Sequence, residues 1–196
     1  MSTFLGRCSG RTRYEAYCWA LGSCRGSLII HPVETVSFDD ISFYGSAART
    51  GLDADYDADG IVDYKFDLPA YDIWVSGEEK DEDFINSMSR YEQGNWPQEN
   101  FSNYYGDYYH KDYPQIILIN KNKDAGDKSL LIVGDSYSSC IERLYLSNYK
   151  NVYIYDPRYA KLTLSEFVQK YSNIDDVLYM TCYNTLANET VARNLR

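Results

Sequence analysis

The 196-residue chain is long enough for one domain with a sizeable core, and its formal net charge of −10 argues against a nucleic-acid partner, because phosphate binding needs clustered Lys and Arg. No apolar run reaches the roughly 18 residues that a membrane-spanning helix needs, and MSTFLGRCSGRTRYEAYC lacks the apolar core of a secretory signal. We therefore expect a single domain over residues 1–196 and, for the sequence as it stands, a cytoplasmic location.

The cysteines stand at positions 8, 18, 24, 140 and 182 and form no CxxC pair. An odd number without such pairs fits neither a disulfide framework nor a zinc site, so ordinary reduced thiols are expected. Cys18 and Cys24 could still pair in an oxidising compartment. Tyrosine occurs 21 times, a bias that suits sugar-facing clefts and half-buried strands alike.

Regular patterns are short in the first 113 residues. Residues 12–21 have apolar side chains at helical spacing, and SLIIHPVETVSF predicts a strand broken at Pro32. Residues 45–113 are acidic and aromatic. They predict loops, short strands and one short helix near 81–91, as an irregular insertion beside a more regular α/β part over 114–196.

From Pro114 onward, strand and helix patterns alternate. QIILIN predicts a strand, KNKDAGDK a polar turn, and LLIV, residues 130–133, a strand buried on both faces. NVYIYD and DVLYMTCY predict further strands, with a helix between them that starts at the capping-box pair Thr163 and Glu166. The tail from Thr185 is predicted to be helical. Alternating strands and helices imply parallel pairing in a layered α/β sheet, with sites at the carboxyl ends of the strands.

Ser136 lies at one of those ends, within LLIVGDSYSSCIERL, residues 130–144. A serine in a strand-to-helix turn is held rigidly, and its backbone N–H, with the positive end of the helix, can stabilise an oxyanion. Gly134 would permit a substrate to approach closely or the backbone to take an unusual φ. A serine nucleophile also needs a base, normally histidine. The same residues suit a helix N-cap, so both interpretations stay open.

The segment around Ser136 resembles the first block of the SGNH/GDSL hydrolases, in which Gly-Asp-Ser follows a hydrophobic strand. The order of several segments is more specifically similar to the DHHW family, a bacterial SGNH-like group related to the alginate O-acetyltransferases. The matching segments are Asp135-Ser136, Asp156-Pro157-Arg158-Tyr159, Asp175-Asp176-Val177-Leu178, FYGSAART and YYGDYYHKDYPQIILIN. The resemblance spans roughly residues 40–190. It implies a three-layer SGNH-like (flavodoxin-like) α/β fold with a parallel sheet and a serine nucleophile that acts on acyl esters, with surface polysaccharide as the expected substrate.

The Asp-His-His-Trp motif that supplies the acid and base in this family is missing from the sequence. The segment RYEAYCWAL looks like the one that follows the motif. The resemblance therefore predicts a chain truncated before the motif and a sheet that is incomplete on its N-terminal side. Full-length relatives with an export signal are expected at the cell surface or outside the cytoplasm.

Two histidines, His31 and His110, could substitute for the missing base. His110 ends Asp107-x-x-His110, the spacing at which SGNH enzymes carry their acid and base, although in those enzymes the pair follows the serine. Geometry rather than chain order decides a triad, so His110 is the candidate base, with a surface or packing role as the alternative. His31 precedes Pro32 in an apolar stretch and is expected to be structural.

The segment DADYDADGIVD has part of the spacing of a calcium-binding loop. Counting Asp55 as position 1, acidic residues or glycine fall at positions 3, 5, 6 and 9, but position 12 is Phe66. An acidic surface turn explains the same residues. We therefore expect no metal and no other cofactor.

Two functions remain open. The first is a serine acyl-ester hydrolase or O-acetyltransferase that acts on acetylated saccharide through Ser136 and His110, or an inactive form of such an enzyme. The second is a non-catalytic module that binds glycan or protein through aromatic rings such as Trp74, Trp96, Tyr104 and Tyr105. A second polypeptide could also complete the site, and the sequence gives no oligomeric state.

Overall fold

A computed structural model of the chain describes residues 31–43, 59–81, 84 and 112–196. The chain divides into two compact units, Met1–His31 and Pro32–Arg196, and all the helices and strands given below belong to the second. The predicted helix over 12–21 and the candidate base His110 lie outside the described residues.

Strands β1 (Glu34–Phe43) and β2 (Asp59–Lys65) form a two-stranded antiparallel sheet. Strand β1 begins at Glu34, two residues after Pro32, and the part of the predicted strand that precedes the proline lies outside the described residues. Strand β2 contains the second half of the calcium-loop candidate, which is extended, and the first half lies outside the described residues. Within it, the buried Asp63 carboxylate forms an ion pair with Lys65 Nζ at 2.7 Å.

The main sheet has six strands in the order β4-β3-β5-β7-β6-β8. The strands are β3 (Tyr71–Val75), β4 (Glu78–Lys80), β5 (Gln115–Asn120), β6 (Ser129–Gly134), β7 (Asn151–Tyr155) and β8 (Asp176–Met180). The parallel pairing predicted for β6, β7 and β8 is confirmed, whereas β5 is antiparallel to β7 and β3 is antiparallel to β5. The sheet is therefore mixed. The segment 121–128 between β5 and β6 carries no helix and is shorter than the dozen or so residues that a parallel crossover needs.

Residues 71–80 extend the main sheet, although they fall in the region predicted to be an irregular insertion. Tyr71, Ile73 and Val75 are buried and alternate with more exposed residues, as expected for a strand with one apolar face. The hairpin to β4 turns at Ser76 and Gly77, whose φ values of 51° and 91° are those of a two-residue type I′ turn. The period-two signal in YDIWV is short, and the acidic residues around it obscure it.

Strand β6 is buried at every residue, so the predicted burial of LLIV on both faces is confirmed; β6 lies between β7 and the edge strand β8. Helix α1 (Leu164–Lys170) covers one face and begins with the predicted capping box, in which Thr163 and Glu166 bond each other's backbone N–H. Phe167 of α1 packs into a core cluster with Leu131, Val133, Tyr153 and Tyr155. Two short helices, α2 (Tyr183–Leu186) and α3 (Glu189–Asn194), form the predicted helical tail.

A 3-10 helix, Glu142–Ser147, covers the other face and packs against β5 and β7. Asn120, on the face of β5 opposite Ile117, donates from Nδ2 to the Leu146 carbonyl at 2.7 Å, while Ile117 packs against the α1 side. Helices on both faces give the three-layer α/β arrangement that the family resemblance implies. Within the described ranges, no helix combines the length and apolar character that a membrane crossing requires.

Candidate active site

The carboxyl ends of β6, β7 and β8 meet at one edge of the sheet, because the three strands are parallel. Asp135 and Ser136 follow β6, Asp156 follows β7, and Cys182 comes shortly after β8. Ser136 is half-buried and opens a series of turns. The candidate nucleophile therefore lies at the edge where open α/β sheets form their binding crevices.

The Asp135 carboxylate fixes the corner next to Ser136. Asp135 is buried, with 3% of its surface exposed. Its Oδ1 accepts a hydrogen bond from the Tyr137 N–H at 2.9 Å, and its Oδ2 accepts from the Cys182 N–H at 2.7 Å and from the Thr185 hydroxyl at 2.6 Å. Three donors compensate the burial of one carboxylate. They tie the turn after β6 to the start of α2.

The α-helix predicted directly after Ser136 does not form; turns occupy residues 136–141 and a 3-10 helix follows. The backbone N–H groups of Ser138, Ile141 and Leu144 each donate to a carbonyl three residues earlier. Asp135 Oδ1 also binds the Tyr137 N–H. Such side-chain bonds compete with helix formation. The helix begins at Glu142, six residues beyond Ser136, so the helix N-terminus predicted at Ser136 does not lie there.

Gly134 makes room for Ser138 rather than for a substrate. A Cβ at position 134 would lie 2.9 Å from Ser138 Cβ and closer still to Ser138 Oγ. The φ of Gly134 is not positive, unlike that of Gly77. The sequence-based interpretation of Gly134 is therefore corrected: the missing side chain lets the turn fold back onto the end of β6.

Ser138 and Glu142 form a buried polar pair beneath the corner. Ser138 Oγ lies 2.9 Å from the Asp135 carbonyl oxygen and 2.7 Å from Glu142 Oε1. Burial raises the pKa of Glu142 to about 7; the Ser138 hydrogen bond opposes this shift, and the negative charges of Asp156 and Asp112 add to it. Glu142 is thus a carboxyl group whose protonation changes near neutral pH.

Arg158 neutralises two carboxylates at the end of β7. Its Nε and Nη2 bind the buried Asp156 carboxylate at 2.6–3.2 Å, and Nη2 also lies 3.0 Å from Asp112 Oδ2. Burial raises the pKa of Asp156, although its hydrogen bonds with Arg158 counteract the effect. Burial alone would lower the pKa of Arg158, but Asp156, Asp112 and Asp135 raise it above its ordinary value. The edge is therefore rich in carboxylates held around one guanidinium group.

The structure places the predicted nucleophile but not the predicted base. His110 lies outside the described residues, and His31 is exposed. Of the rings considered for sugar stacking, Trp74 in β3 is 36% exposed, and Trp96, Tyr104 and Tyr105 lie outside the described residues. In the described part of the chain, no group of three or more His, Cys, Asp or Glu side chains could hold a metal ion.

Sequence reasoning missed the polar network around the corner, although signals for it exist. Asp135 and Asp156 each follow a buried strand directly, and adjacent parallel strands bring such residues together. Ser138 and Glu142 have the i, i+4 spacing of side chains that contact each other on one face of a turn. The bond from Thr185 to Asp135 had no signal, because the two residues are distant in the chain and only the pairing of β6 with β8 brings them together.

The fold is similar to those of solved bacterial proteins. No protein-family model matches the sequence, and no curated protein matches it either. The structure of Bacillus cereus PatB1 with a sulfonyl adduct superimposes with a TM-score of 0.65 at 16% identity, over 91% of this chain and 58% of that one. A DHHW family protein from Eubacterium siraeum DSM 15702 superimposes with a TM-score of 0.60 at 18% identity, over 93% and 59% of the two chains. A second structure of PatB1 gives 0.55 at 18% identity, over 81% and 51%. The chain thus spans less than two thirds of the length of these proteins and shares their α/β fold.

Proposed function

We propose that the chain is a DHHW-type, SGNH-like protein in which Ser136 is the nucleophile of an acyl-ester hydrolase or O-acetyltransferase. The observation that carries the proposal is the position of Ser136. It lies two residues after β6, a strand buried at every residue, at the carboxyl edge of the parallel strands. Asp135 anchors this corner with three hydrogen bonds. A rigid, half-buried serine at such an edge is suited to covalent catalysis.

The sulfonyl adduct described for PatB1 supports this proposal. A sulfonyl group becomes attached to a protein when an activated nucleophile displaces a leaving group at sulfur. The same activation is needed for attack on an ester carbonyl. A protein with this fold can therefore carry a reactive nucleophile, and Ser136 is the residue of this chain that occupies a suitable corner.

The proposed reaction has two steps. Ser136 Oγ attacks the carbonyl carbon of an acetyl ester while its proton passes to the base, for which we propose His110. The Ser136 backbone N–H contributes a hydrogen bond to the oxyanion. The oxyanion collapses, the alcohol leaves with the proton, and the acyl group stays on Ser136. Water or a sugar hydroxyl then attacks this ester, which gives hydrolysis or O-acetyl transfer respectively.

The proposed substrate is an acetylated saccharide, in keeping with the resemblance to the DHHW family. The test is the turnover of p-nitrophenyl acetate by the full chain, compared with Ser136→Ala and His110→Ala. Ser139→Ala, a serine of the same turn, and His31→Ala serve as matched controls. Turnover that disappears in Ser136→Ala and His110→Ala but persists in both controls is the expected result. If the wild type and every other variant turn over the ester no faster than Ser136→Ala does, the catalytic proposal is rejected.

The alternative proposal is a non-catalytic module that binds glycan. The partly exposed ring of Trp74 favours it, because sugar rings stack on aromatic faces. Tryptophan fluorescence during titration with an acetylated oligosaccharide, in the wild type and in Trp74→Ala, tests this function separately from turnover.

A further inference from the structure

Glu142 is a carboxyl group that the proposed reaction does not use and that the fold has nonetheless buried. Only 4% of its surface is exposed. Among the described residues, its hydrogen bond is to Ser138, and no Lys or Arg lies within ion-pair distance of it. A buried carboxylate without a cation carries a large desolvation cost, whereas a protonated carboxyl group does not.

The number of hydrogen atoms available around Ser138 also favours a protonated Glu142. Its Oγ lies within bonding distance of two acceptors, the Asp135 carbonyl oxygen and Glu142 Oε1. A serine hydroxyl has one hydrogen to donate. An ionised Glu142 would have to share this one hydrogen with the Asp135 carbonyl in a weaker three-centre bond. A protonated Glu142 gives each oxygen its own hydrogen, because Glu142 then donates to Ser138 Oγ and Ser138 donates to the Asp135 carbonyl.

The charges that face Glu142 from neighbouring elements favour the same protonation state. Asp156, after β7, and Asp112, before β5, both act on Glu142 with negative charge. The guanidinium group of Arg158 is engaged with these two carboxylates. Burial and these charges together raise the pKa of Glu142 to about 7, against the lowering effect of Ser138.

The Asp135 carbonyl belongs to the same peptide group as the Ser136 N–H. In a trans peptide the C=O bond and the N–H bond point in opposite directions, so holding the carbonyl also aims the N–H. Ser138 binds this carbonyl twice, with its backbone N–H at 2.9 Å and with its Oγ at 2.9 Å. When Glu142 loses its proton, the carboxylate competes for the Ser138 hydroxyl, and the carbonyl keeps one of its two donors.

We propose that Glu142 is a positioning residue: it holds a proton that it donates to Ser138, and this relay fixes the Asp135–Ser136 peptide group so that the Ser136 N–H faces the oxyanion. The positioning role rests on the proposed function of Ser136, whereas the protonation state of Glu142 does not. The relay is intact in acid and weakens as the pH rises through the point at which Glu142 ionises. The turn that contains Asp135 and Ser136 is therefore expected to become less ordered at alkaline pH.

The protonation state is measured first, without reference to activity. The full chain is labelled with ¹³C at glutamate side-chain carboxyl carbons, and each resonance is followed by NMR from about pH 4 to about pH 9. Glu142→Gln assigns the resonance. Glu166→Gln assigns the control, an exposed glutamate whose pKa the hydrogen bonds with Thr163 lower. The expected result is a midpoint near 7 for Glu142 and a midpoint below 4.5 for Glu166. A Glu142 midpoint at or below its ordinary value of 4.5 would overturn the proposal.

A second variant and a kinetic measurement test the relay itself. Ser138→Ala removes the hydroxyl that donates to the carboxylate once Glu142 has ionised and thereby lowers the pKa of Glu142, so the midpoint is expected to move upward. An unchanged or lower midpoint contradicts the contact. In p-nitrophenyl acetate turnover, the wild type is expected to lose activity above about pH 7. Glu142→Gln, whose amide donates to Ser138 at every pH, is expected to keep activity there. Identical pH profiles overturn the positioning role. If no turnover depends on Ser136 but the NMR midpoint of Glu142 is near 7, the proposed function is rejected and the protonated state of Glu142 is upheld.

Discussion

The Thr185 hydroxyl donates a hydrogen bond to the buried Asp135 carboxylate at 2.6 Å and thereby joins two parts of the chain that are 50 residues apart in sequence. One end of this bond precedes the candidate nucleophile, and the other belongs to helix α2. The corner that presents Ser136 is therefore held by the C-terminal part of the chain as well as by strand β6.

Thr185→Val tests this tie, because valine keeps the shape of threonine and removes its donor. Asp135 would keep two of its three donors in a buried position. We expect a loss of about 1.5–3 kcal/mol in the free energy of unfolding, the usual range for a hydrogen bond to a charged group, measured by urea denaturation. Thr190→Val, at an exposed site on α3, is the control and should change stability little. Equal effects of the two variants would contradict the structural importance of the Thr185 bond.

Gly134→Ala is expected to destabilise the protein because a methyl group at this position would collide with Ser138. Overpacking of this kind costs typically about 1–3 kcal/mol. Gly126→Ala is the matched control, since a Cβ at Gly126 would meet no atom within 4 Å. Urea denaturation of both variants checks the expectation. A Gly134→Ala protein as stable as Gly126→Ala would show that the turn does not pack onto the end of β6.

The stability of the protein is expected to decrease as the pH rises toward 7 because of Glu142. The pKa of Glu142 is raised in the folded chain from 4.5 to about 7, so the folded state binds its proton more tightly than the unfolded state does. The stabilising effect of this proton is complete below about pH 4.5 and is lost as the pH passes through about 7. The change is on the order of 3 kcal/mol, since one pKa unit corresponds to about 1.4 kcal/mol.

Urea denaturation at several pH values measures this effect, with Glu142→Gln as the comparison. The neutral amide removes the titration, so the difference in stability between the variant and the wild type should grow in favour of the variant from acidic to neutral pH. A constant difference across that interval would show that Glu142 does not titrate differently in the folded and unfolded chains.

Arg158→Gln is expected to cost more stability at neutral pH than in acid. The variant leaves the carboxylate of Asp156, which is 4% exposed, and that of Asp112 without their cation. Loss of one partner of a buried ion pair costs about 3–5 kcal/mol, and the partial exposure of Arg158 places the expected loss below that range. Protonation of the carboxylates in acid removes the need for the cation. Lys80→Gln, which breaks a pair with the exposed Glu78, should cost about 1 kcal/mol or less. A pH-independent loss in Arg158→Gln would contradict the ion-pair account.

The alternating part of the fold was predictable from sequence because its signals are local. LLIV is continuously apolar and β6 is buried throughout, and the pair Thr163 and Glu166 marks the start of α1 as expected. The strand YDIWV was harder to predict, because its alternation is brief and its partner β5 lies about 40 residues further along the chain. The strand's place in the sheet depends on that distant pairing rather than on its own residues.

The sequence predicts the position of Ser136 in the fold but not the hydrogen bonds that surround it. The position of Ser136 follows from the strand that precedes it. The helix predicted after it fails because Asp135 and Ser138 satisfy backbone groups of their own turn, a competition that apolar periodicity does not reveal. The contacts of Asp135 with Cys182 and Thr185 depend on the parallel pairing of β6 with β8.

The measurement that tests the central claim most directly is covalent labelling of the full chain with an aryl sulfonyl fluoride, followed by peptide mapping by mass spectrometry. A nucleophilic Ser136 predicts one sulfonyl adduct on the peptide that contains it. The adduct should be absent in Ser136→Ala and retained in Ser139→Ala. An unlabelled wild type, or the same adduct in wild type and Ser136→Ala, would contradict the claim that Ser136 is the nucleophile.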